Sequence, residues 1–163
     1  MTPRAFSPDE ISALASLWHD GWHEAHAAHV PAELTAQRTR ESFVQRLPDM
    51  ADRTRVIGPM GAPLGLCAIE GAELDQLFVA RAGRGTGIAA ALLQDGVNRL
   101  AANGVRRAHL YCLVGNDPAA RFYARQGWED MGQELMGPPA TETPFALRCI
   151  RFEKSLDGLT SQD

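Results

Sequence analysis

The sequence has almost no lysine, few cysteines and no long apolar run. Lys154 is the only lysine, which together with the many alanines is typical of a GC-rich coding sequence and indicates no function. The net charge at pH 7 is −4, which argues against a general nucleic-acid binder or a binder of anionic membranes. No apolar stretch is long enough to cross a bilayer, and the segment MTPRAFSPDE lacks the apolar core of a signal peptide. We therefore expect a cytoplasmic protein without nucleic-acid or membrane partners.

The three cysteines do not form a disulfide framework or a zinc-binding pattern. Cys67, Cys112 and Cys149 are odd in number and widely spaced, and each stands in an apolar, strand-like run. Such residues are typical of small buried side chains in a reducing compartment. Cys112 as an acyl carrier is an alternative that we do not favour, because the sequence places no base beside it.

The length and the residue pattern predict one domain that mixes helices and strands. Ser7, Pro8 and Glu10 form a capping box that starts the first helix, and Pro48 ends the second. Helices are predicted at about residues 7–28, 32–47 (or 35–47), 88–102 and 117–126. Strands are predicted at residues 55–58, 64–69, 73–79, 107–114, 128–135 and 145–154, with a short edge strand at residues 3–6.

Residues 73–93, ELDQLFVARAGRGTGIAAALL, follow the pattern strand, glycine-rich loop, helix. Glycines at 83, 85 and 87 let a ligand approach the main chain, and the helix start presents unpaired N–H groups that favour phosphate. A plain turn with glycines for geometry is the alternative. A dinucleotide-binding fingerprint over residues 85–90 is a second alternative. That fingerprint needs an acidic residue about 20 positions later, where this sequence has Val105, Arg106 and Arg107.

The first predicted helix carries a cluster of imidazole and indole side chains. The cluster comprises His19, His23, His26, His29, Trp18 and Trp22. Three of the histidines share one side of the helix, so a metal site and a plain surface cluster are both open interpretations. We favour a third one, in which the cluster forms a wall of a substrate pocket.

Two motifs in a fixed order carry a resemblance to a known family. Residues 84–89 (RGTGIA) fit Arg/Gln-x-x-Gly-x-Gly/Ala, and residues 116–128 (NDPAARFYARQGW) fit Asn-x-x-Ala-x-x-Phe-Tyr-x-x-x-Gly-aromatic. On these motifs the chain resembles the GCN5-related N-acetyltransferases over about residues 53–154. The resemblance implies an α/β (α+β) fold with a mixed, mostly antiparallel sheet of six to seven strands. It also implies a splayed parallel central pair and about four flanking helices.

The resemblance also implies how the domain is divided. Residues 1–156 would form one acetyltransferase domain, and the tail at residues 157–163 is polar and expected to be loose. Within the domain, residues 1–50 would supply a strand and two helices on the acceptor side. Residues 53–154 would form the core that binds acyl-CoA.

The resemblance implies acetyl-CoA as co-substrate and no metal. The pantetheine arm would pair with the main chain of Leu77, Phe78 and Val79, and Asn116 and Ala119 would flank it. The pyrophosphate would be held by the backbone amides of Arg84, Gly85, Thr86, Gly87, Ile88 and Ala89. Arg121 or Arg81 would reach the remaining phosphate, although a solvated surface arginine is an equal alternative for either.

Transfer of acetyl to an amine needs a base and an acid. An alkyl amine with a pKa of about 10 is mostly protonated at neutral pH, so a base must take its proton. Glu73 is the candidate base, because family members with a glutamate base carry it at this offset from the glycine loop, and Asp75 is the reserve. Tyr123 holds the position of the family's general acid. The resemblance implies direct attack in a ternary complex, and a catalytically silent acyl-CoA-binding sensor of the same fold is the alternative.

The acceptor is an amine of a small molecule or peptide that the sequence does not identify further. It should enter between the N-terminal helices and the loop at about residues 137–144, in contact with Trp18, Trp22 and His26. Aromatic and imidazole groups suit a small or amino-acid-like amine, aromatic or cationic in character. A homodimer is an expectation from similar proteins alone.

Overall fold

The computed structural model describes residues 1–137 and 144–159. Its strands are β1 Thr54–Ile57, β2 Gly65–Glu70, β3 Glu73–Val79, β4 Arg107–Leu113, β5 Glu129–Met136 and β6 Leu147–Ser155. Its α-helices are α1 Ile11–His26, α2 Ala32–Gln37, α3 Arg40–Arg46, α4 Ile88–Ala102 and α5 Asp117–Arg125. Short 3-10 helices cover Pro8–Glu10, Ala27–His29, Leu47–Arg53 and Arg81–Gly83.

The six described strands form one mixed sheet in the order β1-β2-β3-β4-β6-β5. Every neighbouring pair is antiparallel except β3 and β4, which are parallel. The expected fold class, a mostly antiparallel sheet with a parallel central pair, is therefore confirmed. The edge strand expected at residues 3–6 is reduced to a single bridge between Arg4 and Val56.

The N-terminal helices are more divided than the sequence predicts. The capping box of Ser7 and Glu10 forms as predicted, but it starts a 3-10 helix that precedes α1. The second predicted helix is two helices, because the backbone leaves the helical region at Arg38 and Thr39 caps a new helix by accepting from the Ser42 N–H. Helical structure does not end at Pro48 as predicted, since this residue lies at the start of the 3-10 helix Leu47–Arg53 that leads to β1.

The sheet has a hydrophobic core on each face. On one face α4 and α5 pack on alternate strand residues, a cluster that includes Cys67, Leu74, Leu92, Leu110 and Phe152. On the other face the N-terminal helices pack on the remaining residues, a cluster that includes Leu14, Trp18, Phe43, Val56 and Leu66. This alternation follows from the period of two of a β-strand and separates the two faces chemically.

The N-terminus is tied to the domain by a buried ion pair. The Glu10 side chain is 1% exposed and accepts two hydrogen bonds from the Arg4 guanidinium, at 2.8 and 2.9 Å. It also accepts from the backbone N–H groups of Ser7 and Gly61. The Arg4 hydrogen bonds lower the pKa of Glu10 to about 2.

The three cysteines are free and buried, as the sequence predicts. Among the described residues no helix has the length and apolarity needed to cross a membrane. Leu156, the last residue of the predicted domain, is buried. The tail at residues 157–163 was predicted to be loose, and its residues 160–163 lie outside the described residues. The loop before the last strand was expected to border the entrance for the acceptor. Residues 138–143 of this loop lie outside the described residues.

Candidate functional site

A gap opens between the parallel strands β3 and β4. Within the described chain their register contains the single pair Glu73 and His109, supported by a hydrogen bond of 3.1 Å from the His109 N–H to the Ala72 carbonyl. After this pair β3 stays bound to β2 as far as Val79 but is no longer paired with β4. The main chain of Leu77, Phe78 and Val79 therefore borders the gap, as expected for an added-strand contact.

A β-bulge on β3 changes which side chains reach this region. Gln76 pairs with Ala68 and Leu74 pairs with Ile69, so Asp75 is an extra residue on its strand. A bulge re-aims neighbouring side chains, and here Glu73, Asp75 and Gln76 all face the same cavity. The sequence predicted the shared face of Glu73 and Asp75, but not the addition of Gln76.

The glycine loop follows the carboxyl end of β3. Gly85 has φ +72° and Gly87 has φ +85°, both in the left-handed region that favours glycine. A Cβ at either position would have no atom within 4 Å, so the main chain there is open to a ligand. Gly87 is the N-cap of α4, and the buried Ile88 anchors the first turn. The loop is therefore shaped for an anion at a helix N-terminus.

The side chain of Arg84 is bound by α1. It makes a two-pronged ion pair with Glu24, with N–O distances of 2.8 and 2.9 Å, and Arg81 lies 3.5 Å from the same carboxylate. The Arg84 hydrogen bonds lower the pKa of Glu24 to about 2. Glu24 thus fastens the glycine loop to the helical layer. Sequence reasoning missed it because nothing local marks an acid on α1 as the partner of a loop 60 residues away.

The opposite border of the gap is the turn between β4 and α5. Asn116 is the N-cap of α5, and Ala119 packs against the core, while Arg121 is exposed. The preceding Gly115 has φ +107°, and a Cβ built on it would lie 2.5 Å from Nδ1 of His29. The His29 ring therefore lies against this turn, a contact that the sequence did not predict.

A cavity of about 180 Å³ lies between the sheet and the N-terminal helices. Its lining includes three of the predicted site residues, Trp22, His26 and Glu73. The lining residues that were not predicted are Val30, Arg38, Arg46, Gln76, Tyr111, Leu113, Met136, Leu147 and Cys149, and Asp75, the reserve base, also contributes. Most of this lining was not predicted, because it comes from α1, α3, four strands and two connecting residues that are far apart in the sequence.

Trp18 does not belong to this wall. Its side chain is fully buried, with its ring centroid 4.7 Å from that of Phe43 and the Arg46 guanidinium 4.5 Å above it. The expectation that Trp18 touches the acceptor is thus corrected by the packing. Trp18 and Trp22 are four positions apart on α1, but only Trp22 reaches the cavity.

The two acidic residues of β3 have different partners. Oε1 of Glu73 lies 3.9 Å from Nε2 of His109, and Asp75 forms an ion pair of 3.0 Å with Arg53. The pKa of His109 is lowered by its burial and by the charge of Arg151, which favours the neutral form of its imidazole. Asp75 is held by a permanent cation, which disfavours proton uptake by its carboxylate.

The histidines of the N-terminal segment have separate environments. His19 contacts Asp20, and Nε2 of His23 donates to the Arg38 carbonyl at 2.7 Å. His26 packs edge-on against Trp22 and Phe78, and burial together with His29 lowers the pKa of His26 to about 4. In residues 1–137 and 144–159 no group of three or more histidine, cysteine or acidic side chains is placed to hold a metal ion.

Tyr123 lies on the other face of the sheet from Glu73. Its ring packs near those of Phe152 and Trp128, with centroid distances of 5.9 and 6.4 Å, and burial raises its pKa. It does not line the cavity, so the structure does not place the two predicted catalytic residues in one pocket. The two residues lie on opposite faces of the sheet, beside the part of β3 and β4 that is not paired.

Fold and site together define a class of protein: a mixed α/β domain with a split sheet, a glycine-rich loop before the helix α4 and a small cavity beside the split. A model of the acetyltransferase (GNAT) family matches residues 11–128. The chain belongs to this family.

Solved structures with the same fold support the assignment. One is a PaiA N-acetyltransferase from Thermoplasma acidophilum in complex with coenzyme A. Its sequence is 17% identical to this chain, the TM-score is 0.72, and the match covers 94% of this chain and 97% of that chain. An N-acetyltransferase from Staphylococcus aureus Mu50 is 15% identical, with TM-score 0.73 and coverages of 95% and 98%. A ribosomal-protein-alanine N-acetyltransferase from Brucella melitensis is 18% identical, with TM-score 0.65 and coverages of 95% and 99%. At these identities the likeness shows the fold alone, and no curated protein matches the chain.

Proposed function

We propose that this chain transfers the acetyl group of acetyl-CoA to an amine of a small molecule or peptide, by direct attack of the amine in a ternary complex. The observation that carries the proposal is the arrangement around the gap. Glu73 faces the cavity on one side of the sheet, and Tyr123 is partly buried against the core on the other side. A thioester that passes between β3 and β4 would lie between a base and an acid.

The residues around the gap fit the parts of acetyl-CoA. Both parallel strands are followed by a connection to a helix, residues 80–87 between β3 and α4 and residues 114–116 between β4 and α5. Ligands of open α/β sheets bind outside the carboxyl ends of strands, and the open space at Gly85 and Gly87 suits close approach of a pyrophosphate. Leu77, Phe78 and Val79 offer main-chain groups to the pantetheine amides, while Asn116 and Ala119 flank the arm.

The proton transfers fall to two side chains. Acetyl-CoA supplies the activated acetyl thioester, and reaction joins the amine nitrogen to the carbonyl carbon as the carbon–sulfur bond breaks. Glu73 accepts the proton that the nitrogen loses, directly or through water. Tyr123 donates a hydrogen bond or its proton to the departing sulfur. Burial raises the pKa of Tyr123, and the same burial disfavours a free thiolate, so the hydroxyl stays available as a donor.

The test combines binding with turnover. Acetyl-CoA is titrated calorimetrically, and its thiol release is then followed with amino acids, polyamines, aminoglycosides and peptides. A blank without acceptor corrects for the three cysteines of the chain. Release above the blank supports the proposal. Binding without release for any acceptor favours the silent acyl-CoA-binding alternative, and absence of binding contradicts both.

We also propose a cytoplasmic location. The three buried, unpaired thiols support a reducing compartment. Fractionation of cells that express the chain would test this, and recovery outside the cytoplasm would contradict it. The expected homodimer stays a prediction, which light scattering of the purified chain would check.

A further inference from the structure

The C-terminal half of α1 lies against the end of β3. A Cβ built on Gly21 would be 2.8 Å from Cδ1 of Phe78, so the helix backbone and this side chain are in close contact. His26, further along the helix, packs edge-on against the same ring, with 6.1 Å between the ring centroids. Phe78 is next to the last residue of β3. The helix therefore packs on the strand end that leads into the glycine loop.

One carboxylate on this helix holds both ends of the turn that follows β3. Arg81 begins the 3-10 turn, which ends at Gly83, and Arg84 follows it. Glu24 accepts hydrogen bonds of 2.8 and 2.9 Å from Arg84 and lies 3.5 Å from the guanidinium of Arg81. Because the side chains of this pair are exposed, it contributes little to the stability of the whole fold. We expect its effect to be local, on the loop.

The residues after Arg84 form an exposed loop. Gly85 and Gly87 have no side chain, and a Cβ on either would meet no atom within 4 Å. The Thr86 hydroxyl donates to the carbonyl of Gly83, within the same loop. Glycine gives the main chain more accessible conformations, each of which must be lost when the loop is ordered. Attachment of Arg84 to α1 therefore restricts the directions in which the N–H groups of the loop can point.

The same segment of the chain also reaches the other border of the gap. His29 follows Glu24 by five residues and lies against the turn after β4. A Cβ on Gly115 in that turn would be 2.5 Å from Nδ1 of His29. Residues 24–29 thus contact the connections that follow both parallel strands, and acetyl-CoA is proposed to bind between these connections.

On the basis of the proposed binding of acetyl-CoA, we propose that Glu24 is a positioning residue for the cofactor. It holds Arg84 against α1 and so keeps the main-chain N–H groups of residues 85–89 in the orientation that receives the pyrophosphate. The charge of Arg84 is then used by Glu24 and not by a phosphate. The opposite role is competition, in which Glu24 occupies an arginine that a phosphate would otherwise bind. Removal of the Glu24 charge changes the affinity in opposite directions for these two roles.

The experiment titrates CoA and dephospho-CoA calorimetrically against the parent chain and Glu24→Gln. Loss of the pair lowers the fraction of chains with an ordered loop, so the Kd of both ligands should rise by about threefold to tenfold. Dephospho-CoA keeps the pyrophosphate but lacks the 3′-phosphate, so an equal rise assigns the effect to the pyrophosphate. A lower or unchanged Kd in Glu24→Gln overturns the inference. A rise for CoA alone overturns it as well, because the effect then lies at the 3′-phosphate.

Asp20→Asn is the matched control for the loss of a negative charge. Asp20 lies four positions before Glu24 on α1, and it contacts His19 instead of the glycine loop. Salt screens its charge from a distant ligand, so the Kd for CoA should stay within about twofold of the parent value. A rise equal to that of Glu24→Gln would attribute the effect to the general charge of the helix and overturn the inference.

A double-mutant cycle tests Arg84 as the partner. Glu24→Gln/Arg84→Gln should bind CoA no more weakly than Arg84→Gln alone, because the second change removes a pair that is already broken. Glu24→Arg/Arg84→Glu exchanges the two charges and should bind CoA more tightly than Arg84→Glu does. Additive losses, or no recovery in the exchanged pair, would show that Arg84 binds a phosphate itself and would overturn the inference.

Kinetics separate a positioning role from a structural one. In Glu24→Gln the KM for acetyl-CoA should rise with the Kd, while kcat stays within about twofold and the urea midpoint is nearly unchanged. A fall in kcat with an unchanged KM would overturn the inference.

Failure of this inference is distinguishable from failure of the proposed function. If the parent chain acetylates an amine and Glu24→Gln binds CoA equally well, the inference is overturned and acetyl transfer stands. If the parent chain binds CoA without turnover, the transfer is contradicted and the titrations still decide the role of Glu24. If the parent chain does not bind CoA, both are overturned.

Discussion

Glu73 and His109 are the one pair in register across the described part of the parallel strands β3 and β4, with Oε1 and Nε2 3.9 Å apart. The strands separate after this pair, so Glu73 lies where the gap begins and also borders the cavity. Burial and the charge of Arg151 lower the pKa of His109, which disfavours a positive charge beside the carboxylate that is proposed to accept a proton.

Replacement of Glu73 tests this position. Glu73→Gln removes the proton acceptor with little change in shape, so kcat/KM for the best acceptor should fall by about 10²-fold or more. Asp75→Asn is the matched comparison, because Asp75 borders the same cavity but is bound by Arg53. Steady-state kinetics of both variants decide the assignment. A larger loss in Asp75→Asn would transfer the role to that residue.

Tyr123 is tested by removal of its hydroxyl. Tyr123→Phe keeps the ring among Phe152 and Trp128, so the fold should persist. We expect kcat to fall by about tenfold or more, with the Kd for acetyl-CoA nearly unchanged, because only the departing sulfur loses a donor. The other tyrosine, Tyr111, lines the cavity beside Glu73, so Tyr111→Phe should change the KM of the acceptor instead if the acceptor binds there as proposed. Unchanged kcat in Tyr123→Phe would remove this residue from the mechanism.

The glycine loop is tested against a glycine at the other end of the same helix. Gly87→Ala and Gly104→Ala both force alanine into a left-handed conformation in open space, with φ +85° and +87°. Each should destabilise the fold by about 1–2 kcal/mol, measured by urea unfolding. Only Gly87→Ala should also weaken acetyl-CoA binding, by about tenfold, because its Cβ would occupy the proposed phosphate site. Equal affinities in the two variants would place the phosphates elsewhere.

The ion pair of Arg4 and Glu10 should contribute to the loss of stability in acid. The pKa of Glu10 is about 2 in the folded chain against an ordinary 4.5, so its contribution is present above pH 4.5 and is lost as the pH falls toward 2. The shift corresponds to about 3 kcal/mol. Glu10→Gln should destabilise by a similar amount at pH 7 and flatten the pH dependence below 4.5. Asp9→Asn, at an exposed neighbour, should change neither quantity.

His26 should affect the free energy of unfolding at a higher pH than Glu10 does. Its pKa is about 4 in the folded chain and 6.5 without burial, so the unfolded chain binds more protons between these values. Its contribution to stability is therefore complete above pH 6.5 and decreases as the pH falls toward 4. Urea unfolding at pH 7, 5.5 and 4.5 should show this slope in the parent chain and a smaller one in His26→Gln. An identical slope would show that His26 is more solvated than its packing indicates.

Local patterns in the sequence were enough to predict the strands and the helices of the second half of the chain. The helix α4 and the glycine loop were predictable because strand alternation, glycine spacing and helical periodicity are all properties of neighbouring residues. The split of the second helix at Arg38 was not predictable, since nothing in the local pattern marks that break. The bulge at Asp75 was equally hidden, because it depends on the register with β2.

The sequence by itself determined the family, the glycine loop and the candidate base and acid, since these are encoded in short motifs with fixed spacing. Only the tertiary structure decided which side chains meet. Packing buried Trp18 in the core and left Trp22 at the cavity, and it brought Glu24 to Arg84 and Arg46 to the cavity wall. The physical reason is that the neighbours of a helical face depend on the shape and packing of the whole core. The spacing of residues along one segment carries no information about them.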